Sequence, residues 1–427
     1  MRPNIVFITC HDLGQHLGCY GQPSVPSPAL DSIAVQGVLF ENSFCTAPQC
    51  SPSRSVLHTG RHAHTNGMMG LAHANFKWRM HPDEQHIAQR LRQAGYSTVL
   101  FGVQHLVGGD EAKSLGYDTA QNRMPARELG EAAAMFLSEP DLKQPFYLEV
   151  GFFEPHRPYD YGDVEPDDRL GASVPPYLPD SPEAHAEFAA AQGAIGALDV
   201  GVGRIFEALA ANNLLENTWF IFAADHGLAM PRAKCTVYDP GIETALIMHW
   251  PGGGLVGGRR ITEMISHVDM VPTLLDALAM DIPDNLHGRS YWPLLQGQPY
   301  APNREVYAEK TFHTDYEPMR AIRTSTHKLI VNLDQDIAVN TPSDIQLSPI
   351  YPQVLPQIAV HRPHIELYDL ENDPHEQRNL AGQPQVAAIE RDLKQRLLAW
   401  METTDDPILQ GPVPSPYYHD ALAMLKS

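Results

Sequence analysis

The sequence predicts an α/β protein built on a mostly parallel sheet, and three observations carry that expectation. Four short apolar runs are each followed at once by a polar, ionisable cluster. Helix-like stretches precede the second and the fourth of these runs. The composition, 43% apolar and 19% charged, is that of an ordinary globular chain and excludes disorder, collagen and coiled coil. Continuous apolar runs of this length suit strands buried on both faces, which means a sheet covered by helices. Alternation of strand and helix completes the class.

In chain order, Asn4–Cys10 runs into His11-Asp12. A helix over Asp83–Ala94 precedes Thr98–Val103, which runs into Gln104-His105. Phe146–Phe153 runs into Glu154-Pro155-His156, and the segment 155–182, with seven prolines, is expected to form a long loop over the site. A helix over Ala184–Asn212 precedes Trp219–Ala224, which runs into Asp225-His226-Gly227. Ligands of open α/β sheets sit beyond the carboxyl ends of the strands. Four such ends bearing His and Asp therefore define the expected site. Further on, a hairpin-like region over Glu305–Asn332 is separated from Ile365–Leu370 by the Pro-rich segment 342–363, and a last helix covers Gln385–Glu402.

At 427 residues the chain exceeds the length at which one hydrophobic core stops growing, so two domains are expected. Gly297, Pro299 and Pro302 place the boundary near residue 300, giving units of 1–300 and 301–427. Thirty Lys and Arg against 51 Asp and Glu leave a net charge of −21. Nucleic acid and anionic membranes are then not expected partners, because a phosphate backbone is held mainly by Lys and Arg. A local basic pocket still admits a small anionic substrate. No apolar run reaches the length of a membrane span, and Met1-Arg2-Pro3-Asn4 leads straight into a strand-like run without a signal-peptide pattern. A cytoplasmic protein is expected. Five cysteines without a CxxC pair imply neither a disulfide framework nor a structural zinc site.

The sharpest motif is Cys50-Ser-Pro-Ser-Arg54-Ser-Val-Leu-His-Thr-Gly60. Pro52 is placed to open a helix, with Cys50 just before its first turn and Arg54 pointing the same way. A thiol there faces the positive end of a helix dipole and unpaired N–H groups, a place suited to an anion. The plain alternative is a buried cysteine beside a helix cap. A phosphatase cradle spaces Cys and Arg further apart than the four positions seen here.

Cys50-x-Pro-Ser-Arg54 with Leu57-x-Thr-Gly60 resembles the signature of the type I sulfatases, whose fold is similar to that of alkaline phosphatase. The likeness runs along nearly the whole chain. Asn66–Leu71, Pro155-His-Arg-Pro158, Ile365–Leu380 and Leu398–Pro407 look most like the heparan N-sulfatase (sulfamidase) branch. The resemblance implies a large parallel sheet flanked by helices and a smaller C-terminal α+β unit with an antiparallel sheet. It also implies conversion of Cys50 to formylglycine by a formylglycine-generating enzyme, and a homodimer is a common assembly of the family.

Carried over singly, the metal positions of the family fall on His11, Asp12, Asp225 and His226, with residue 50 also at the metal. Asp12 fits, and Asp225-His226 lies in the expected D-H-G context. His11 departs from the usual carboxylate. Calcium is the family's default, whereas imidazoles suit zinc or manganese, so the metal's identity stays open. In the sulfate pocket His105 carries over, but Val103 stands where the family has a lysine, and Gln104 is expected to point away from Val103. His156 matches the active-site histidine of the P-H-x-P stretch, and Lys234 matches the lysine beyond Asp225-His226. Arg232 is expected in solvent, Cys235 in the core and His58 in a structural role. His62 and His64 are either exposed or substrate-facing.

The mechanism so implied is hydrolysis of sulfate esters or sulfamates. The hydrated aldehyde, held by Arg54, attacks sulfur in line; His156 with Lys234 serves the leaving group, and His105 takes the proton that releases sulfate. A phosphonate monoester or phosphodiester hydrolase using the same site is the alternative within the superfamily, and a catalytically silent scaffold is the alternative outside it.

Overall fold

The computed structural model describes residues 2–73, 76–334, 341–358 and 360–427. Residue 359, inside the expected Pro-rich separator, lies outside the described residues. Eight strands form one sheet in the spatial order Thr119–Gln121, Ser97–Gly102, Phe146–Gly151, Asn4–Cys10, Thr218–Ala224, Leu246–His249, Val38–Phe40, Arg259–Ile261. The first five are mutually parallel, and only Leu246–His249 runs against its neighbours. The four runs read from the sequence are thus adjacent parallel strands, and their carboxyl ends share one edge. The strands at 97 and 218 begin one residue earlier than expected, and those at 97 and 146 stop at Gly102 and Gly151.

Those glycines end the strands for a steric reason. A Cβ on Gly151 would sit 1.8 Å from the Val103 carbonyl oxygen, and one on Gly102 would sit 2.2 Å from that of Gly151. The two chains cross here closely enough for Val103 N–H to donate to Gly151 O at 2.8 Å. Helices cover both faces. Pro182–Ala211 is capped by the Ser181 side chain, which accepts from Ala184 N–H. The helix expected over Asp83–Ala94 is only Ile87–Gln93, because His86 caps it by accepting from Ala88 N–H.

The C-terminal sheet is antiparallel, in the order Glu305–Phe312, Tyr316–Thr324, His327–Asn332, Ile365–Asp369. One face takes the helix Ala387–Thr403 through Leu393, Leu397, Trp400 and Met401, spaced as one helical stripe against Ile322, Leu329 and Leu367. The other face packs Val306, Met319 and Ile330 onto Phe44, Val237 and Ile242 of the large-sheet layer. Each such buried aliphatic side chain stabilises by roughly 1.5–3 kcal/mol, so the small sheet is held from both sides. No described helix is long and apolar enough to cross a membrane.

Candidate active site

The Asn4–Cys10 and Thr218–Ala224 strands cross into tight turns at their carboxyl ends. Asp12 stands at φ +52°, in the left-handed region uncommon for non-glycine residues. Its N–H donates to Asp225 Oδ1 at 3.0 Å, and His226 N–H donates to the same oxygen at 2.9 Å. His11 Nδ1 lies 3.1 Å from Asp225 Oδ2. His226 donates from Nδ1 to Gly227 O at 3.0 Å, which leaves the Nε2 lone pair facing Asp12 Oδ1 at 3.2 Å and Cys50 Sγ at 3.4 Å.

The helix Cys50–Thr59 starts earlier than expected. Cys50 is its first residue, and Pro52 fits inside the first turn because N–H groups there have no intrahelical partner. Arg54 is fully buried. Its Nε donates to Asp225 Oδ2 at 3.1 Å, and its Nη1 donates to Thr9 Oγ1 and to Val103 O, each at 3.0 Å. Its Nη2 has no partner among the described residues. Burial is the main force pushing the Cys50 thiol well above its ordinary range, so the unmodified side chain is a neutral thiol rather than an activated thiolate.

On the outer side, Lys234 Nζ donates to Asp12 Oδ2 at 2.9 Å, to Asp344 Oδ2 at 2.8 Å and to His156 Nε2 at 3.2 Å. His156 Nδ1 donates to Arg157 O, which leaves Nε2 as the acceptor. Burial works against the Lys234 ammonium, but Asp12 and Asp344 outweigh it and keep it charged. His105, at φ +59°, pairs through Nε2 with Nδ1 of the exposed His73 at 2.7 Å. Burial, then His11 and His73, hold the His105 imidazole neutral.

Two expectations are corrected by the packing. Arg232 is not in solvent: its Nη2 donates to the His375 carbonyl at 3.0 Å and its guanidinium lies over Tyr238. His62 and His64 are neither exposed nor turned to the site. His64 bridges Glu309 and Thr404, while His62 accepts from Trp400 Nε1, so both tie the Cys50 region to the C-terminal helix. Gln104 folds onto its own loop, accepting from Val107 N–H at 3.0 Å and donating to Val107 O at 2.7 Å. His58 is structural as expected, 3.3 Å from Glu149. Sequence reasoning missed Asp344, His313 and the Arg54 partner Thr9. Asp344 comes from the short helix Ser343–Gln346, in the Pro-rich segment, with no local motif to announce it.

The residues present fit a divalent cation. His11, Asp12 and Asp225 offer ligand atoms within 4.8 Å of one another, as do Asp12, Cys50 and His226. Asp12 Oδ1 and His11 Nε2 are buried without a hydrogen-bond partner among the described residues. Burial and Arg54 depress the His11 imidazole to about 3, while His226, His11 and Arg54 overcome burial to keep Asp225 ionised. Neutral imidazole and ionised carboxylate are the states that bind metal. Two oxygen and two nitrogen donors do not single out one metal.

The mostly parallel sheet carries this cluster at the carboxyl ends of its strands, where open α/β folds place their ligands. The chain belongs to the sulfatase family, whose model, described as Sulfatase, matches residues 3–280. A second model, N-sulphoglucosamine sulphohydrolase, C-terminal, matches residues 226–349. Human N-sulphoglucosamine sulphohydrolase is 28% identical over 467 residues, covering 96% of this chain and 92% of its own. A 2-O GAG sulfatase shares the fold with a TM-score of 0.77 at 21% identity, covering 97% of this chain and 95% of that one. The phosphonate monoester hydrolase of Agrobacterium radiobacter shares it with a TM-score of 0.72 at 20% identity, covering 94% and 96%.

Proposed function

We propose that this sulfatase hydrolyses sulfate esters or sulfamates of sugars, with Cys50 matured to formylglycine and a divalent metal held by Asp12, Asp225, His226 and His11. One observation carries the reading. Cys50 begins a helix within 3.4 Å of His226, which faces Asp12, while the far oxygen of Asp12 meets the Lys234–His156 pair. Nucleophile position, metal cradle and leaving-group pair therefore follow one line across Asp12.

A hydrated aldehyde at residue 50 would supply an oxygen nucleophile, and a cation held by Asp12, Asp225, His226 and His11 would supply Lewis-acid polarisation. The chain's own residues do the rest. Arg54, locked by Asp225, Thr9 and Val103, presents Nη2 to a hydroxyl at residue 50. Lys234 Nζ holds the proton for the departing atom, and His156 Nε2 is its partner. His105, neutral and backed by His73, is the base that takes the proton releasing sulfate. A small anionic substrate and the maturation enzyme are the partners this requires.

The absence of a cation at Val103 favours a singly charged reacting group, which phosphonate monoesters also carry. Turnover of an aryl sulfate, glucosamine N-sulfate and a phosphonate monoester, measured side by side, decides between them. Faster turnover of either sulfur substrate is the expected result. Preference for the phosphonate would transfer the reading to the other hydrolase.

A further inference from the structure

Asp344 is an anion placed in an anion-binding site, and nothing in the sequence pattern asks for it. Its side chain is 19% exposed, whereas that of Asp12 is fully buried, so it stands at the outer end of the line from Cys50 through Asp12 to Lys234. Its Oδ2 lies 2.8 Å from Lys234 Nζ and 3.9 Å from His156 Nε2. These two residues attend the departing atom in the function proposed above. Every side-chain hydrogen bond and ion contact that Asp344 makes among the described residues runs through Oδ2. Lys234, and after it His156 and His313, hold the carboxyl well below its ordinary range against the effect of its burial.

An ionised carboxylate there penalises a bare sulfuryl group. Asp12 and Asp225 are the carboxylates that would face a bound cation, which leaves Asp344 as the anion beside Lys234 on the substrate side. The penalty is offset when the substrate brings a donor to Asp344. A sulfate ester has none at its bridging oxygen, whose lone pairs would face a carboxylate. A sulfamate has an N–H on the bridging atom itself.

We propose that Asp344 is a specificity residue that accepts the sulfamate N–H through Oδ1 and so favours cleavage of S–N over S–O bonds. The proposal rests on the function proposed above. With its N–H turned to Asp344, the nitrogen directs its lone pair toward Lys234 and His156. As the S–N bond breaks, the lone pair facing Lys234 takes up the proton from Nζ, and the bond's electron pair stays on nitrogen as the lone pair of the amine. The sulfuryl group forms its new bond to the deprotonated hydroxyl oxygen at residue 50, and the amine leaves neutral.

The test compares kcat/KM for glucosamine N-sulfate, its N-methylated analogue and glucose 6-sulfate, an unactivated ester whose departing oxygen also needs the Lys234 proton. Wild type, Asp344→Asn and Asp344→Ala are used metal-loaded and at equal conversion of Cys50. A hydrogen bond to a charged group is worth roughly a ten- to hundredfold change in rate. Because Asp12 still pairs with Lys234, Asp344→Asn should lower sulfamate turnover by that factor and leave the sulfate ester within a few-fold. N-methylation should cost the wild type a similar factor and the variants little, as expected of two changes that remove one contact. Equal losses on both substrates would reduce Asp344 to a support for Lys234 and overturn the proposal. Equal sensitivity of wild type and variants to N-methylation would overturn it too. So would a wild type that cleaves the ester but not the sulfamate, with the hydrolase reading intact. A wild type inert toward all three would defeat the underlying reading itself.

Discussion

At the scale of single residues, the account depends on Cys50 and on the groups whose chemistry it shares. Cys50→Ala should abolish turnover while thermal unfolding stays near that of the wild type, since the helix N-terminus loses only a small buried side chain. An active Cys50→Ala enzyme would remove residue 50 from the mechanism. Val103 tests the missing cation. Its backbone already serves Arg54 and Gly151, so a longer side chain leaves those bonds in place. A charge-assisted hydrogen bond contributes about 1.5–3 kcal/mol, so Val103→Lys should tighten inhibition by free sulfate by roughly tenfold or more. Unchanged or weaker inhibition would refute the missing-cation account. His11, Asp12, Asp225 and His226 were legible because each follows a buried strand directly, and strand ends are where such folds place ligands. Asp344 and His313 were not, because they reach the site from the C-terminal part of the chain, with no run or spacing linking them to it.

At the scale of elements, the Cys50 helix is anchored to the sheet by a buried polar contact that the apolar run Phe146–Gly151 concealed. Glu149 sits mid-strand and fully buried, accepting from Tyr147 OH at 2.7 Å and from Tyr117 OH, with His58 Nε2 of the Cys50 helix at 3.3 Å. Burial raises the Glu149 carboxyl, but His58, His86 and Tyr117 outweigh it and hold it at about 2. That lies below the value of about 4.3 for an unfolded glutamate. The contact therefore stabilises fully above that value and is lost as pH falls toward 2. Glu149→Leu, which leaves His58 buried beside two unpaired tyrosine hydroxyls, should cost about 3–5 kcal/mol near neutrality. The gap between variant and wild type should narrow below about pH 4.3. Denaturant unfolding across that range checks it, and a gap independent of pH would contradict the pairing. The strand itself was readable from its apolar character, whereas His58, His86 and Tyr117 come to Glu149 from three other parts of the chain and carry no periodic signal.

At the scale of the whole molecule, a net charge of −21 surrounds a site built for an anion. The field opposes approach of sulfated substrates, and raising salt from about 0.01 to 0.15 M shortens the screening length from about 30 to about 8 Å. kcat/KM for a polysulfated oligosaccharide should therefore rise with salt more than for a monosulfate, and the opposite order would point to an unseen basic track. The α/β class and the separate antiparallel sheet followed from the order of runs and from the family resemblance. The small sheet's tie to the large one was hidden, because Val306, Met319 and Ile330 meet Phe44 and Ile242 only in the folded chain. The central claim is that turnover depends on a modified residue 50. Mass spectrometry of the Cys50 peptide, set against specific activity over preparations with graded conversion, tests it most directly. Activity should rise in proportion to the lighter, aldehyde-bearing peptide and extrapolate to zero without it; a fully active preparation containing only unmodified cysteine would contradict the account.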